Sequence, residues 1–306
     1  MVLYFAKVVK IMKKKRSKTI YYFRKYFVIP VKIFRIAIVD TIRQDGVEHA
    51  GYLAFLSIFS LFPFLIFLIS IVSYIGGDEL GIKVIYSAIN SLPEEAAKSL
   101  LPRVAEIVSG PPQSFLTIAI IGVIWTASSS VEGCRTILNR AYRVHLPPPY
   151  LLRRLISIVE FFILTFSIAV GIMVFVIAPS ILSIQEIESS LRFLDHYDSP
   201  KMRSLIAVVF LVCATSLLYY VIPNVKQKIT KTFPGAILAV FLWFQTQKLF
   251  AYYLENFHQF NFVYGSLAGI MIYLMFFYLV NLIFIVGAQF NYHLYRVYKI
   301  FLRESL

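Results

Sequence analysis

The chain has 306 residues, of which 59% are hydrophobic, 16% aromatic and only 15% charged, with a mean hydropathy of +0.74. A soluble domain carries about 25% charged residues, so the composition excludes an ordinary water-soluble protein and points to a polytopic membrane protein. Net charge is +14, and 12 of the 30 Lys and Arg fall in residues 1–43; that clustering fits a basic segment facing anionic lipid rather than a nucleic-acid surface.

In chain order, residues 1–43 read as a cytoplasmic segment. No small-residue cleavage site follows a short apolar core, so no cleavable signal peptide is expected. Within it, IYYFRKYFVIPVKIFRIAIV mixes aromatic, aliphatic and basic residues. That pattern suits an amphipathic helix lying in the headgroup region, interrupted near Pro30. A spanning helix takes about 20 mostly apolar residues. Six segments qualify: 51–75, 114–131, 155–178, 204–222, 234–254 and 264–290. The expected fold is therefore all-α: a six-helix transmembrane bundle over 44–293, with an N-terminal amphipathic helix, an external interfacial helix and a cytoplasmic tail over 294–306.

The loops orient the bundle. Loops 132–154 and 223–233, the N-terminal segment and the tail together hold 23 Lys and Arg, against six on the opposite side. Positive residues accumulate in cytoplasmic loops, so both termini are expected in the cytoplasm. The largest external loop, 76–113, contains PEEAAKSLLPRVAEIVSG. Ala97, Leu100, Leu101, Val104, Ile107 and Val108 share one face there, as a rim-packing helix or as a lid or partner-docking helix. Cys134 and Cys213 fall at different depths, and no disulfide is expected between them.

Charges in hydrocarbon cost about 2.5–3.5 kcal/mol each, so each one needs a reason. Glu48 and His49 open the first span, Glu132 closes the second, and Glu160 lies in the third beyond Arg153 and Arg154. Gln289, Asn291 and His293 close the sixth. All fall near the cytoplasmic interface, as an acidic and polar vestibule shared with Arg135 and Arg140. Two readings stand: interfacial ion pairs that seat the helices, or a substrate or proton site. His49 could titrate near neutral pH. Lys248 is in the fifth span, on one face with Gln245 and Glu255; it either snorkels outward or faces a cavity that takes an anionic headgroup. Asn281, midway along the sixth span, is expected to bond another helix.

Small residues mark close packing. Gly265 and Gly269 form a GxxxG pair, and Ser128, Ser129 and Ser130 permit close approach or a locally unwound helix. Pro63 predicts a kink in the first span. No metal spacing, Walker motif or cofactor signature is present, so no metal or cofactor is expected.

Four segments, in order, carry a family resemblance: HAGYLAFLSIFSLFPFLIFLISI, IGVIWTASSSVEGCRTILNRAYRV, FPGAILAVFLWF and NFVYGSLAGIMIYLMFFYLVNLIFIVGAQFN. Together they resemble the YihY/BrkB family of bacterial inner-membrane proteins over residues 35–293. The LPPP at 146–149 and the basic, aromatic N-terminus depart from the family pattern. The resemblance implies six transmembrane helices, an inner-membrane location and no agreed biochemical activity. An older ribonuclease label is regarded as mistaken, and some members are tied to resistance to host serum. It favours a non-enzymatic transporter or flippase-like protein for lipid or another envelope amphiphile. The alternative is a structural or scaffolding envelope protein that binds a partner through its external loop. Expected partners are membrane lipids, with anionic headgroups at the basic N-terminus, an envelope protein, and a second copy of the chain. A nuclease is disfavoured, because phosphodiester hydrolysis usually needs clustered metal-binding or acid–base groups and no such spacing appears.

Overall fold

The computed structural model describes residues 29–60, 116–144, 148–172, 200–256 and 268–303. The described residues are helical, with no strand among them. In chain order they form α1 (Ile29–Arg43), α2 (described over 46–60), α3 (Leu116–Ala141), α4 (Tyr150–Ile172), α5 (Pro200–Val221), a short 3-10 turn (Ile229–Lys231), α6 (Phe233–Asn256) and α7 (Ala268–Arg303). Pro63, Gly265 and the loop 76–113 lie outside the described residues. Gly269 is in the first turn of α7 and Glu255 near the end of α6, but their side-chain surroundings are likewise outside.

Among the described residues, one helix is long and apolar enough to cross a membrane by length and composition, Met271–Lys299 with mean hydropathy 2.3. The distribution of side chains says more. Each of four helices presents a large apolar stripe outward: Tyr52, Phe55 and Phe59 on α2; Leu155, Val159, Ile163 and Phe166 on α4; Leu205 and Val209 on α5; Ile237, Phe241 and Phe244 on α6. The interior meanwhile holds Asp40, Glu132, Arg135, Asn139, Arg154, Glu160, Asn281, Gln289, Asn291 and His293. Soluble proteins bury the first kind and expose the second. An apolar surround reverses the preference, because every interior polar group must then be satisfied within the protein.

α7 is the central post. It has 36 residues, about 54 Å at 1.5 Å per residue, far more than the roughly 30 Å hydrocarbon core. α6 packs antiparallel along it: the Gly235 N–H donates to Asn291 Oδ1 at 2.6 Å, and Trp243 Nε1 donates to the Val280 carbonyl at 2.9 Å. α5 joins the same core, where Tyr219 stacks on Phe284 and donates its hydroxyl to the Phe284 carbonyl at 2.7 Å. α1 packs Ile29, Ile33 and Ala37 against Phe290 and Val297 of α7. That contact covers one face of α1, while Val31, Ile38, Val39 and Ile42 stay exposed on it; Pro30 lies in the first described turn. α7 runs without a break to Arg303, so residues 294–303 of the expected tail continue its helix.

The short turn between α1 and α2 is tightly specified. Asp45 has a positive φ of 56°, a conformation Asp tolerates better than most residues. Its carbonyl accepts the first α2 hydrogen bond, from the His49 N–H at 2.9 Å. A Cβ on Gly46 would sit 2.5 Å from Thr41 Cγ2 and 2.6 Å from the Thr41 carbonyl oxygen, so only glycine fits the bend.

The expected loop 132–154 is mostly helix. α3 continues to Ala141 and closes with the Val144 N–H on the Asn139 carbonyl (2.8 Å) and the Arg143 N–H on the Arg140 carbonyl (3.1 Å). This is a Schellman motif, with Arg143 at φ 61° where glycine is usual. α3 is unbroken through Ser128–Ser130. Ser128 and Ser129 donate to the Trp125 carbonyl at 3.1 and 2.8 Å, and Ser130 donates to the Leu56 carbonyl of α2 at 2.8 Å. The alternative of an unwound segment there does not hold.

α3 and α4 meet through Ser129 with Arg154, Glu132 with Ser157 and Arg135 with Glu160, and Phe161 of α4 clusters with Ala127 and Val131 of α3. Arg135 holds both Ser157 and the Ile222 carbonyl at the end of α5, and Gly171 lies against Phe210 further back along α5, so α4 runs antiparallel to α5.

Candidate functional site

The vestibule expected from sequence divides into three separate networks. The first lies between α3 and α4. Arg135, 1% exposed, is the hub. Its Nη2 pairs with Glu160, its Nε lies 3.3 Å from Glu132 Oε2 and 3.3 Å from Ser157 Oγ, and its Nη1 donates to the Ile222 carbonyl at the end of α5 at 3.1 Å. Ser157 donates back to Glu132 Oε2 at 2.9 Å. Arg153 Nη1 is 3.4 Å from Glu132 Oε1, an ion pair by distance, although that oxygen makes no hydrogen bond; the attraction there is Coulombic. Arg154 donates to the Trp125 carbonyl and to Ser129 Oγ at 3.0 Å, with its guanidinium 4.2 Å from the Trp125 ring centroid.

The second network joins the α1–α2 turn to the ends of α3 and α7. Asp40 is buried and accepts from Arg143 Nη2 at 2.8 Å, and its Oδ2 lies 2.8 Å from His293 Nε2. Arg143 also donates to Gln44 and lies over the Tyr292 ring at 5.1 Å. Asp45 pairs with Arg140, whose Nη1 is 3.1 Å from His49 Nε2. Gln289 reaches Gln44 at 3.3 Å. Among the described residues, both non-glycine residues with positive φ, Asp45 and Arg143, belong here. Such conformations cost about 1–3 kcal/mol and persist where surrounding contacts over-determine them; here those contacts are the ion pairs of the same side chains. A cavity of about 10 Å³ lies beside them, lined by Gln44, His49, Arg140 and Gln289 among others.

The third network ties α3, the α5–α6 connection and α7. Asn139 exchanges bonds with Asn224, at 2.9 Å from its amide and 2.7 Å to its carbonyl oxygen. Asn291 bonds the Gly235 N–H and the Thr232 carbonyl. Ser216 and Thr232 meet at 2.7 Å.

The remaining candidates are placed individually. Asn281 donates to Ser57 Oγ of α2 at 3.2 Å and to the Phe277 carbonyl at 2.8 Å. Glu48 is exposed. Lys248 is exposed too, at helical spacing with Phe241, Phe244 and Tyr252 of the outward stripe. It is not brought to Glu160, and the snorkelling alternative is the one its position suits. Glu132 stands apart from Asp40, Asp45 and Glu48, so these acids form no common cluster. Among the described residues no group of three or more His, Cys, Asp or Glu could hold a metal ion. Sequence reasoning treated Arg143 only as a count of positive charge, and noted Arg153 and Arg154 ahead of Glu160 without assigning them a role in the site.

Burial, and then the Arg140 cation, lower the pKa of His49 from its ordinary 6.5, against the opposing pull of Asp45 and Glu48. A lowered folded-state value means the unfolded chain binds the proton first as pH falls. The stability that neutral His49 contributes is therefore complete above about pH 6.5 and is lost between there and the lowered value. His49→Gln is expected to flatten the fall in thermal unfolding midpoint as pH drops below about 6.5, measured in detergent micelles. An unchanged slope would place the titration elsewhere.

Comparison with known proteins bears on this arrangement. The chain matches the family described as virulence factor BrkB over residues 37–301. It belongs to the BrkB family. A ribonuclease-like protein YfkH of Bacillus subtilis (strain 168) is 29% identical over 178 residues, 58% of this chain and 64% of that one. A UPF0761 membrane protein of Legionella pneumophila (strain Corby) is 35% identical over 97 residues, 32% of this chain but 22% of that one. Another from Alteromonas mediterranea is 25% identical over 190 residues, 60% of each chain. The first of these matches thus cover less than two thirds of the relatives' lengths. No solved structure matches the chain. The BrkB-family chain is accordingly a membrane protein of the BrkB/UPF0761 type, and these relatives support a bacterial membrane location.

Proposed function

We propose that this BrkB-family chain is a multi-pass protein of the bacterial inner membrane that transports an amphiphile, a lipid or another envelope component. The observation that carries the reading is the ionisable α3–α4 network inside a protein whose outer faces are apolar. A buried ion pair is weak as a stabilising device, because desolvation offsets its attraction. Ionisable groups within membrane helices mark pathways more often than struts. A headgroup would pass along the network while its chains stay against the apolar stripe of α4. Six spans with both termini cytoplasmic remain our proposal for the topology. The charge asymmetry supports it, as does the packing of α1 beside the end of α7, which brings the two described terminal helices to one end of the bundle.

Reconstitution into liposomes with fluorescently labelled phospholipid tests the function. Movement between leaflets above protein-free vesicles is expected, and its absence under both proton and sodium gradients would reject transport. A scaffolding role is the second reading. It is favoured by the helix-to-helix pairing of interior polar groups, such as Asn281 with Ser57 and Ser130 with the Leu56 carbonyl.

A further inference from the structure

The α3–α4 network holds three guanidinium groups, those of Arg135, Arg153 and Arg154, against two carboxylates, Glu132 and Glu160. Arg135 occupies both carboxylates and Arg153 takes the outer oxygen of Glu132. That leaves Arg154 with no carboxylate among the described residues. It is only 4% exposed, and its contacts are a carbonyl, a hydroxyl and the Trp125 ring. The Nε atoms of both Arg153 and Arg154 are buried without a hydrogen-bond partner. A buried cation with unfilled donors is costly unless an anion completes it.

The surroundings say what kind of anion. Trp125, 55% exposed, shields Arg154 on one side, and Tyr150, Leu151 and Leu155 are exposed beside the two arginines on α4. Trp and Tyr next to basic groups at the head of an apolar stripe are what a membrane–water boundary selects. Guanidinium forks fit phosphate oxygens two at a time. We infer that Arg153 and Arg154 bind the phosphate group of an anionic ligand, with any acyl chains laid along Leu155, Val159 and Ile163. The inference rests on the transport reading for its source of ligand, and names that ligand's class.

Equilibrium binding tests it without requiring transport. The purified full chain in neutral detergent is titrated with phosphatidylglycerol, with phosphatidylcholine and with inorganic phosphate, following Trp125 emission; Trp125→Phe shows which signal belongs to that residue. Saturable binding of phosphatidylglycerol over phosphatidylcholine is expected, weakened about tenfold or more in Arg154→Gln, partly restored in Arg154→Lys and unchanged in Lys248→Gln. Gel filtration confirms that each variant is folded. Equal affinity for inorganic phosphate would uphold the site and assign it to a soluble phosphate compound. Equal response to phosphatidylcholine, a signal that survives Trp125→Phe, or wild-type binding by both Arg154 variants would overturn it. Binding without lipid movement would reject transport alone, and transport indifferent to Arg154→Gln would reject this site alone.

Discussion

Arg135→Met is expected to lower the unfolding free energy by about 3–5 kcal/mol, because it strands two buried carboxylates. The guanidinium touches Glu132, Glu160, Ser157 and the Ile222 carbonyl. Removing it takes away one tie from α3 to α4 and one to the end of α5. Glu160→Gln alone should cost less, since Glu132 still accompanies Arg135. The triple replacement Arg135→Met, Glu132→Gln, Glu160→Gln should recover much of the loss, as apolar or neutral substitutes for whole buried ion pairs often do. Denaturant unfolding in mixed micelles gives all of these values. A loss under about 1 kcal/mol for Arg135→Met would mean that water reaches the pair and that the network is an open surface one.

The same network shows where sequence reading stops. Two helices were legible to within four residues. Expected segments 234–254 and 204–222 correspond to Phe233–Asn256 and Pro200–Val221, because long, mostly apolar runs begin there beside proline and lysine. The C-terminal half of α3 was not legible. Glu132, Arg135 and Asn139 look like loop residues by composition. They lie on a helix because α4 and α5 satisfy them, and a partner from another helix leaves no local trace. Arg143 hides the helix end in the same way: glycine would announce the left-handed turn, whereas arginine holds it through Asp40 and Gln44.

The candidate site was legible in its members more than in its grouping. The Glu132 and Arg135 pair follows from their spacing of three on a helix. That Glu160 completes it depends on where α4 crosses α3, which no periodicity reveals. Charge counting placed Glu48, His49, Glu132 and His293 in one vestibule because all sit at span ends. Three dimensions separate them, since α2 and α4 lie on different sides of α3.

The contact between α6 and α7 leads to the second large effect. A Cβ on Gly235 would collide with the Gly287 carbonyl oxygen and would lie 2.5 Å from Asn291 Cγ. Neither can retreat: one is helix backbone, and the other is held by its bonds to the Gly235 N–H and the Thr232 carbonyl. Gly235→Ala must therefore push α6 away from α7, breaking the 2.6 Å bond to Asn291 and loosening the Tyr219 contact packed at Gly287. A loss of about 3 kcal/mol is expected, at the upper end of overpacking effects. Gly51 supplies the control. It is in the described part of α2, and a Cβ there would meet nothing within 4 Å, so Gly51→Ala should stabilise by about 0.5–1 kcal/mol through helix propensity alone. Opposite signs at these two glycines, read as shifts in unfolding midpoint, would tie the α6–α7 approach to Gly235. A neutral Gly235→Ala would mean that the helices stand further apart than the hydrogen bonds between them allow.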